Sequence, residues 1–357
     1  MQPKRDSSMS VFIRLSAGTR GGKEMRKAEG KGSFFECIQR LAGSFQAVHH
    51  QLLLLICFAW ASGSSADESP QLMVLGVAQD AGYPQIDCFE PRCIALWESA
   101  PMQSGASSLA LVTADSRVLL FDAAPELPQQ LYTLWQATGT RVADISGIFL
   151  THAHMGHYLG LAYLGKEAIS ADRVPVYVMP RFKQFLETNG PWSQLVSEQN
   201  ILLKTLTHNQ PVDVADVQVK PLQVPHRDEY SETVGFLIDA GQRILYLPDI
   251  DKWRKWNVDL ATMVQSVDLA FIDASFFGPG ELPGRDMSLI PHPTVVESMD
   301  LLESLSREDK GKVHFIHMNH TNPMLRPNSP ERQSVLDRGF RIAQPGQRIV
   351  LSRASDS

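Results

Sequence analysis

Three imidazoles within six positions, set directly behind a buried-strand pattern, constrain this chain more than any other feature. The segment Thr151-His152-Ala153-His154-Met155-Gly156-His157 follows Ile145–Leu150, an apolar, β-branched run that reads as a strand ending in a loop. Alternate residues of an extended segment point the same way, so His152 and His154 can grip one ion together. Neutral imidazole is the commonest protein ligand for zinc. A polar loop that is merely histidine-rich is the plainer alternative. A fold that uses the cluster must bring further ligands to the same place.

The rest of the chain offers them at strand ends. Strand-like runs fall at 72–78, 108–113, 118–121, 148–150, 174–178 and 217–222, then at 234–238, 244–247, 269–272, 313–316 and 348–351. Helical stretches lie near 125–138, 181–189 and 294–306. The pair 234–247, joined by Asp239–Gln242, has the look of a hairpin. No solenoid-period repeat and no low-complexity tract follows residue 70. Strands mixed with helices suggest sheet packed between helices, with chemistry at strand ends. His226 follows Val217–Pro225, Asp249 follows Ile244–Pro248, and His317 follows Val313–Ile316. Taken singly, each is an ordinary strand-end polar residue. Taken in order after the histidine cluster, they describe one site fed by successive strand ends.

The first 66 residues stand apart. Leu52–Trp60 is an apolar core about as long as a signal-peptide h-region, and Ser64-Ser65-Ala66 supplies small residues for cleavage before a polar start at Asp67. The run is too short for a comfortable membrane span, although an uncleaved anchor is the alternative. Met25, followed by Arg26 and Lys27, is a more ordinary start site, which makes the preceding residues an extension from a misassigned start. The expected organisation is therefore a signal segment over 1–66 and one catalytic-size domain over 67–357, exported to the periplasm. Residues 1–66 carry +5, and the whole chain carries −6, which leaves −11 for the mature part. A surface that acidic argues against a nucleic-acid partner and favours a small-molecule substrate. Only Cys88 and Cys93 follow residue 66. They suit a disulfide in an oxidising compartment, or two ligands of a structural metal that needs others to close its shell.

The chain resembles the metallo-β-lactamase superfamily, whose His-x-His-x-Asp-His motif is followed by a His, an Asp and a final His. The resemblance runs from about Leu72 to Leu351. It implies an α/β fold, a four-layer αβ/βα sandwich. By position, His152, His154 and His226 resemble the ligands of a first metal. His157 and His317 resemble ligands of a second, and Asp249 resembles the carboxylate between them. Closer still is the pyrroloquinoline quinone biosynthesis protein B family. The residues behind that likeness are Val74–Cys88, Asp122–Gln130 and Phe315–Pro323. That family's early Cys-x-Cys-Pro-x-Cys knuckle appears here with Glu90 in place of the middle cysteine. The change favours a disulfide over a site made of Cys88, Glu90 and Cys93. The segment Pro291-His292-Pro293-Thr294, with Glu297 at capping-box spacing, is similar to a segment of tRNA-maturing members. There the histidine donates a proton, so His292 is the candidate general acid, with a packing role as the alternative.

The departure that matters most is Gly156, which stands where the superfamily has a second-site aspartate. Asp228, two residues past His226, is a candidate replacement. The resemblance implies a hydrolase using zinc, as one ion or two, with iron or manganese as alternatives. Asp249 would orient the attacking water and His292 would protonate the leaving group. An iron-dependent oxidative enzyme related to quinone-cofactor assembly is a second hypothesis. A non-catalytic protein that binds metal or a small molecule is a third. Trp192, Trp253 and Trp256 are candidates for an aromatic pocket wall.

Overall fold

Strands that are apolar on both faces dictate a layered fold, because each sheet then has two surfaces to cover. The computed structural model describes residues 69–99 and 103–352. The expected signal segment, its cleavage point and the alternative start at Met25 lie outside them. The strands are β1 (Gln71–Gly76), β2 (Ser108–Val112), β3 (Val118–Phe121), β4 (Ile145–Phe149), β5 (Val174–Val178), β6 (Ile201–Thr205), β7 (Val212–Val214), β8 (Val217–Gln223), β9 (Val234–Asp239), β10 (Arg243–Leu247), β11 (Leu269–Asp273), β12 (Val313–Ile316), β13 (Arg341–Ile342) and β14 (Arg348–Val350). The helices are α1 (Pro91–Trp97), α2 (Leu127–Thr138), α3 (Met155–Tyr158), α4 (Pro180–Thr188), α5 (Trp192–Ser197), α6 (Leu260–Gln265), α7 (Val295–Leu301), α8 (Arg307–Lys312) and α9 (Pro330–Asp337).

Among the described residues the strands form two mixed sheets of seven. The first runs β14-β1-β2-β3-β4-β5-β6, and the second runs β13-β12-β11-β10-β9-β8-β7. The alternation of side chains shows how they stack. Leu72 and Val74 of β1, Leu109 and Leu111 of β2, and Leu119 and Phe121 of β3 share one core with Phe236, Tyr246 and Phe271 of the second sheet. Their neighbours Met73, Leu75, Ala110, Val118 and Leu120 point the other way, onto Leu127 and Leu134 of α2 and Phe182 and Leu186 of α4. The second sheet is covered likewise by Leu260 and Val264 of α6 and Val295 and Met299 of α7. The result is the expected α/β, four-layer sandwich.

Local signals set the helix and turn positions. Gly139 ends α2 in a left-handed conformation (φ 74°) and donates its N–H to Trp135 O. Thr294 and Glu297 close the expected capping box on α7. The hairpin β9–β10 turns at Gly241, with Asp239 opposite Arg243. The edge strands β6 and β7 and the two-residue β13 were not expected from the sequence. No helix among the described residues is long and apolar enough to cross a membrane.

Two runs of parallel pairing decide where chemistry can sit. Strands β3 to β6 are parallel in one sheet, and β10 to β13 are parallel in the other. Parallel strands end at the same edge, so the residues that follow them share one rim of the sandwich. Beneath that rim, Phe121 stacks on Phe149 at 5.4 Å and Phe149 on Tyr177 at 4.5 Å. Phe236 and Tyr246 of the opposite sheet meet these rings at 5.7–6.2 Å and give the rim a rigid floor.

Candidate metal centre

Five histidines from three strand ends converge on Asp249, which follows a fourth. His152 lies just past β4, His154 caps the one-turn helix α3, and His157 sits inside it. His226 follows β8, Asp249 follows β10 and His317 follows β12. His152 Nε2 is 3.3 Å from Asp249 Oδ2, and His226 Nε2 is 3.3 Å from Asp249 Oδ1. His157 Nε2 and His317 Nε2 each lie 3.8 Å from Asp249 Oδ2. His154 approaches through its other nitrogen, with Nδ1 2.7 Å from His152 Nε2. Three groupings have donor atoms within 4.8 Å of one another: His152, His154, His226 and Asp249; Asp249, Asp273, His292 and His317; and Asp80, His157 and His317.

The far nitrogen of most of these rings is tied down, which orients the near one. In each sheet a hydroxyl and a carboxylate do the tying. Asp122, just past β3, accepts from His157 Nδ1 at 2.8 Å and from Thr151 Oγ1 at 2.9 Å. Thr151 Oγ1, its proton so committed, is left to accept from His152 Nδ1 at 3.0 Å. In the other sheet Ser275 Oγ donates to Asp273 at 2.8 Å and accepts from His317 Nδ1 at 2.9 Å. His154 Nε2 is held by Glu229 at 2.9 Å. In the neutral ring each bond puts the proton on the outward nitrogen and leaves a lone pair on the side of Asp249. His157 Nε2, His226 Nε2, His317 Nε2 and Asp249 Oδ1 are buried without a hydrogen-bond partner among the described residues. Four buried, unsatisfied atoms facing one another are expensive unless a cation joins them. The donor set, imidazole nitrogen and carboxylate oxygen without thiolate, suits a borderline divalent ion.

The electrostatics agree. Burial pushes His152 well below its ordinary value, and the neighbouring His157 and His154 add to this. Burial, with His157 beside it, takes His317 down to about 3, and burial also lowers His226 and His154. Neutral imidazole is the ligating form. Two histidines go the other way. Burial alone would lower His157, but Asp122 more than offsets it and holds His157 at about 9. Burial is overcome at His292 by Asp273 and then Asp249, again to about 9. Burial raises the Asp249 carboxyl, with Asp273 adding to the effect against the pull of His292. A cation among these groups would draw Asp249 back to carboxylate. Two left-handed non-glycine residues lie at the centre: Asp122 and His317 sit at φ 67° and 69°. Such left-handed residues cost roughly 1–2 kcal/mol each, and here they turn the chain sharply off β3 and β12.

All six residues taken from the sequence as metal ligands are thus brought together, and His292 stands among them. Its Nδ1 is 2.8 Å from Asp273 Oδ2 and 3.1 Å from Asp249 Oδ1. A cleft of about 660 Å³ opens beside it, lined by Gln79, Arg227, Phe276, Arg285, Leu289 and Asn319 among others. Two expectations are corrected. Asp228 does not replace the missing carboxylate, because its side chain accepts from Thr233 Oγ1 at 2.8 Å and joins none of the groupings. The tryptophans do not line the cleft: Trp253 is buried with Nε1 on Ser298, and Trp192 packs on Tyr158 and Phe185. Cys88 and Cys93 form a disulfide, so neither offers a thiolate, and a site with Glu90 loses two of its three donors. Residues missed from the sequence are Asp80, Asp122, Asp273, Ser275 and Tyr246. The carboxylates Asp122 and Asp273 had a usable signal, since both close apolar strand runs. His314 lies on β12 against Phe271, away from the centre.

A family model described as a beta-lactamase superfamily domain matches residues 117–318, more than half of the chain and every residue of the centre except Asp80. The chain belongs to the beta-lactamase superfamily. Within the superfamily it is similar to the coenzyme PQQ synthesis protein B of Xanthomonas campestris, at 25% identity over 306 residues covering 79% of this chain and all of the relative. The superfamily fold is shared with the Zn(2+)-bound PqqB of Methylobacterium extorquens, with TM-score 0.66, 22% identity, and 79% and 100% of the two chains covered. A diphosphatase of the PhnP family superimposes with TM-score 0.58 and 22% identity, covering 78% of this chain and 96% of its own. At these identities the solved structures speak for the metallo-β-lactamase fold alone.

Proposed function

We propose that this superfamily member is a metal-dependent hydrolase, with zinc as the ion, acting on a small-molecule substrate. The observation that carries the reading is the set of buried nitrogens of His157, His226 and His317 beside Asp249, none with a hydrogen-bond partner among the described residues. His152, His154, His226 and Asp249 would hold the first ion. When bound, zinc supplies Lewis acidity and lowers the pKa of a coordinated water to roughly 7. The protein's own groups do the rest. Thr151, Ser275 and Glu229 aim the neutral rings of His152, His317 and His154, and Asp122 aims His157, whose second proton a bound ion would displace. Asp249 fixes the geometry between the two sheets. His292 holds a proton at neutral pH, and its Nδ1 is committed to Asp273, so the proton it can give up is on Nε2. Arg227 and Arg285 at the cleft suit an anionic group on the substrate. The Cys88–Cys93 disulfide supports an exported, oxidising location.

The test is the pair His152→Ala and His154→Ala, with elemental analysis of the purified protein and hydrolysis of ester, phosphodiester and lactam substrates. Both variants are expected to lose metal and activity together. Unchanged metal content would overturn the ligand assignment. The likeness to coenzyme PQQ synthesis proteins supports a second reading, an iron-dependent oxidative enzyme. Oxygen uptake by iron-loaded protein with phenolic substrates would favour it, and hydrolysis by the zinc form would count against it.

A further inference from the structure

We propose that Asp80 is the carboxylate ligand of a second metal site, in the place that Gly156 leaves without one. The proposal rests on the metal-centre reading above and extends it to a residue outside the histidine cluster and outside the strand-end ligands read from the sequence. A Cβ added at Gly156 would lie 2.4 Å from Asp80 Cα and 2.6 Å from Asp80 Oδ1. Residue 156 is therefore glycine because Asp80 already fills the space its side chain would enter. The same approach places Asp80 Oδ1 3.2 Å from the Gly156 N–H, which donates to it, and 3.7 Å from His157 Nε2. Asp80, His157 and His317 offer donor atoms within 4.8 Å of one another. The nitrogens concerned, His157 Nε2 and His317 Nε2, are buried without hydrogen-bond partners among the described residues.

The loop that carries Asp80 is pinned where it is needed. Gln79 N donates to Met318 O at 2.9 Å, and Met318 N donates to Val77 O at 2.8 Å. Asn319 Nδ2 donates to Gln79 Oε1 at 2.7 Å. The segment after β1 is thus laced to the segment just past His317, and the carboxylate and the imidazole are set by one piece of structure. With Asp249 shared, the second site has two imidazoles and two carboxylates, a four-donor set for a divalent ion.

An ordinary alternative is that Asp80 only caps the Gly156 N–H at the start of α3. The variant Asp80→Asn separates the two, because its amide oxygen can still accept that bond while the charge is gone. Metal content is measured on the full chain equilibrated with zinc, together with the melting temperature after chelation. We expect Asp80→Asn to lose one bound ion, to keep the other, and to melt with the wild type once chelated. A second variant, Asp80→Cys loaded with cobalt(II), is expected to show a near-ultraviolet thiolate-to-cobalt charge-transfer band that cobalt-loaded wild type lacks. Full retention of both ions in Asp80→Asn, or absence of the band in Asp80→Cys, overturns the proposal. A wild type that holds a single ion, lost on His152→Ala, also overturns it while leaving the first-site reading standing. A wild type that binds no metal sinks both readings.

Discussion

Replacing Asp122 by asparagine is the most informative single change outside the ligands themselves. The carboxylate is fully buried and accepts four bonds. Oδ1 takes Thr151 N at 2.8 Å and Thr151 Oγ1 at 2.9 Å, and Oδ2 takes His157 Nδ1 at 2.8 Å and Tyr246 OH at 3.0 Å. An amide has one acceptor end and one donor end. If its NH₂ faces Thr151, the backbone N–H there has no way to adapt, and a buried unsatisfied donor costs about 1–3 kcal/mol. If the NH₂ faces His157, the ring must move its proton to Nε2, the nitrogen turned toward Asp249. Loss of such an orienting partner weakens metal binding about 10–100-fold, or roughly 1.4–2.7 kcal/mol. In either orientation charge-assisted bonds become neutral ones, so a total stability loss of about 2–4 kcal/mol is expected. For a domain of this size that is a drop of roughly 3–7 °C in melting temperature. Thermal melting followed by circular dichroism reads the first effect. Competition against a chromophoric zinc chelator reads the second. Tyr246→Phe is the control, because it removes one donor, costs about 1 kcal/mol and leaves zinc affinity intact. An Asp122→Asn protein with wild-type melting temperature and zinc affinity would refute the argument that proton placement on His157 is set from behind.

Two further outcomes follow from groups away from the centre. Burial holds His314 at about 4, below its ordinary value near 6.5, so the unfolded chain takes up a proton that the folded chain refuses between those values. Stability should therefore fall as pH drops from about 6.5 to 4, by roughly 3 kcal/mol from this residue. His314→Gln should remove that share of the slope in urea titrations at pH 7 and pH 4.5, and identical slopes in the two proteins would count against it. The Cys88–Cys93 bridge spans five residues of sequence, and closing so short a loop is worth about 2 kcal/mol. The double change to serine should lower the melting temperature by a few degrees and leave metal content untouched; loss of an ion would return those cysteines to a metal site.

Much of the centre was legible because its ligands follow strand-like runs. Asp249 and His317 come just after strands linked by parallel pairing through β11, and His226 comes just after the alternating strand β8. Strands β6 and β7 escaped for the converse reason. They are edge strands with exposed residues and no clean alternation. Asp80 was invisible for a deeper reason. It is 76 positions from Gly156, and a missing side chain in one sequence reads the same whether a function is lost or a space is kept clear. Only packing tells the two apart. Asp228 was favoured by proximity in sequence to His226, but Thr233 and the turn after β8 hold it elsewhere. The tryptophans show the common case of large aromatics absorbed into packing.

His152, His154 and His157 stand on the first sheet, while His226, Asp249 and His317 stand on the second. Neither layer alone supplies the donors of either proposed site, since His152, His154, His157 and Asp80 come from one and His226, Asp249 and His317 from the other. An ion at either site would bind only where the layers meet, so by linkage its binding free energy would also be free energy of closure. Chelation would then relax one edge of the sandwich while the ring floor of Phe121, Phe149 and Phe236 kept the rest in register. The metal concentration around the protein would set how tightly that edge stays shut, making the same ion a fastener as well as a reagent.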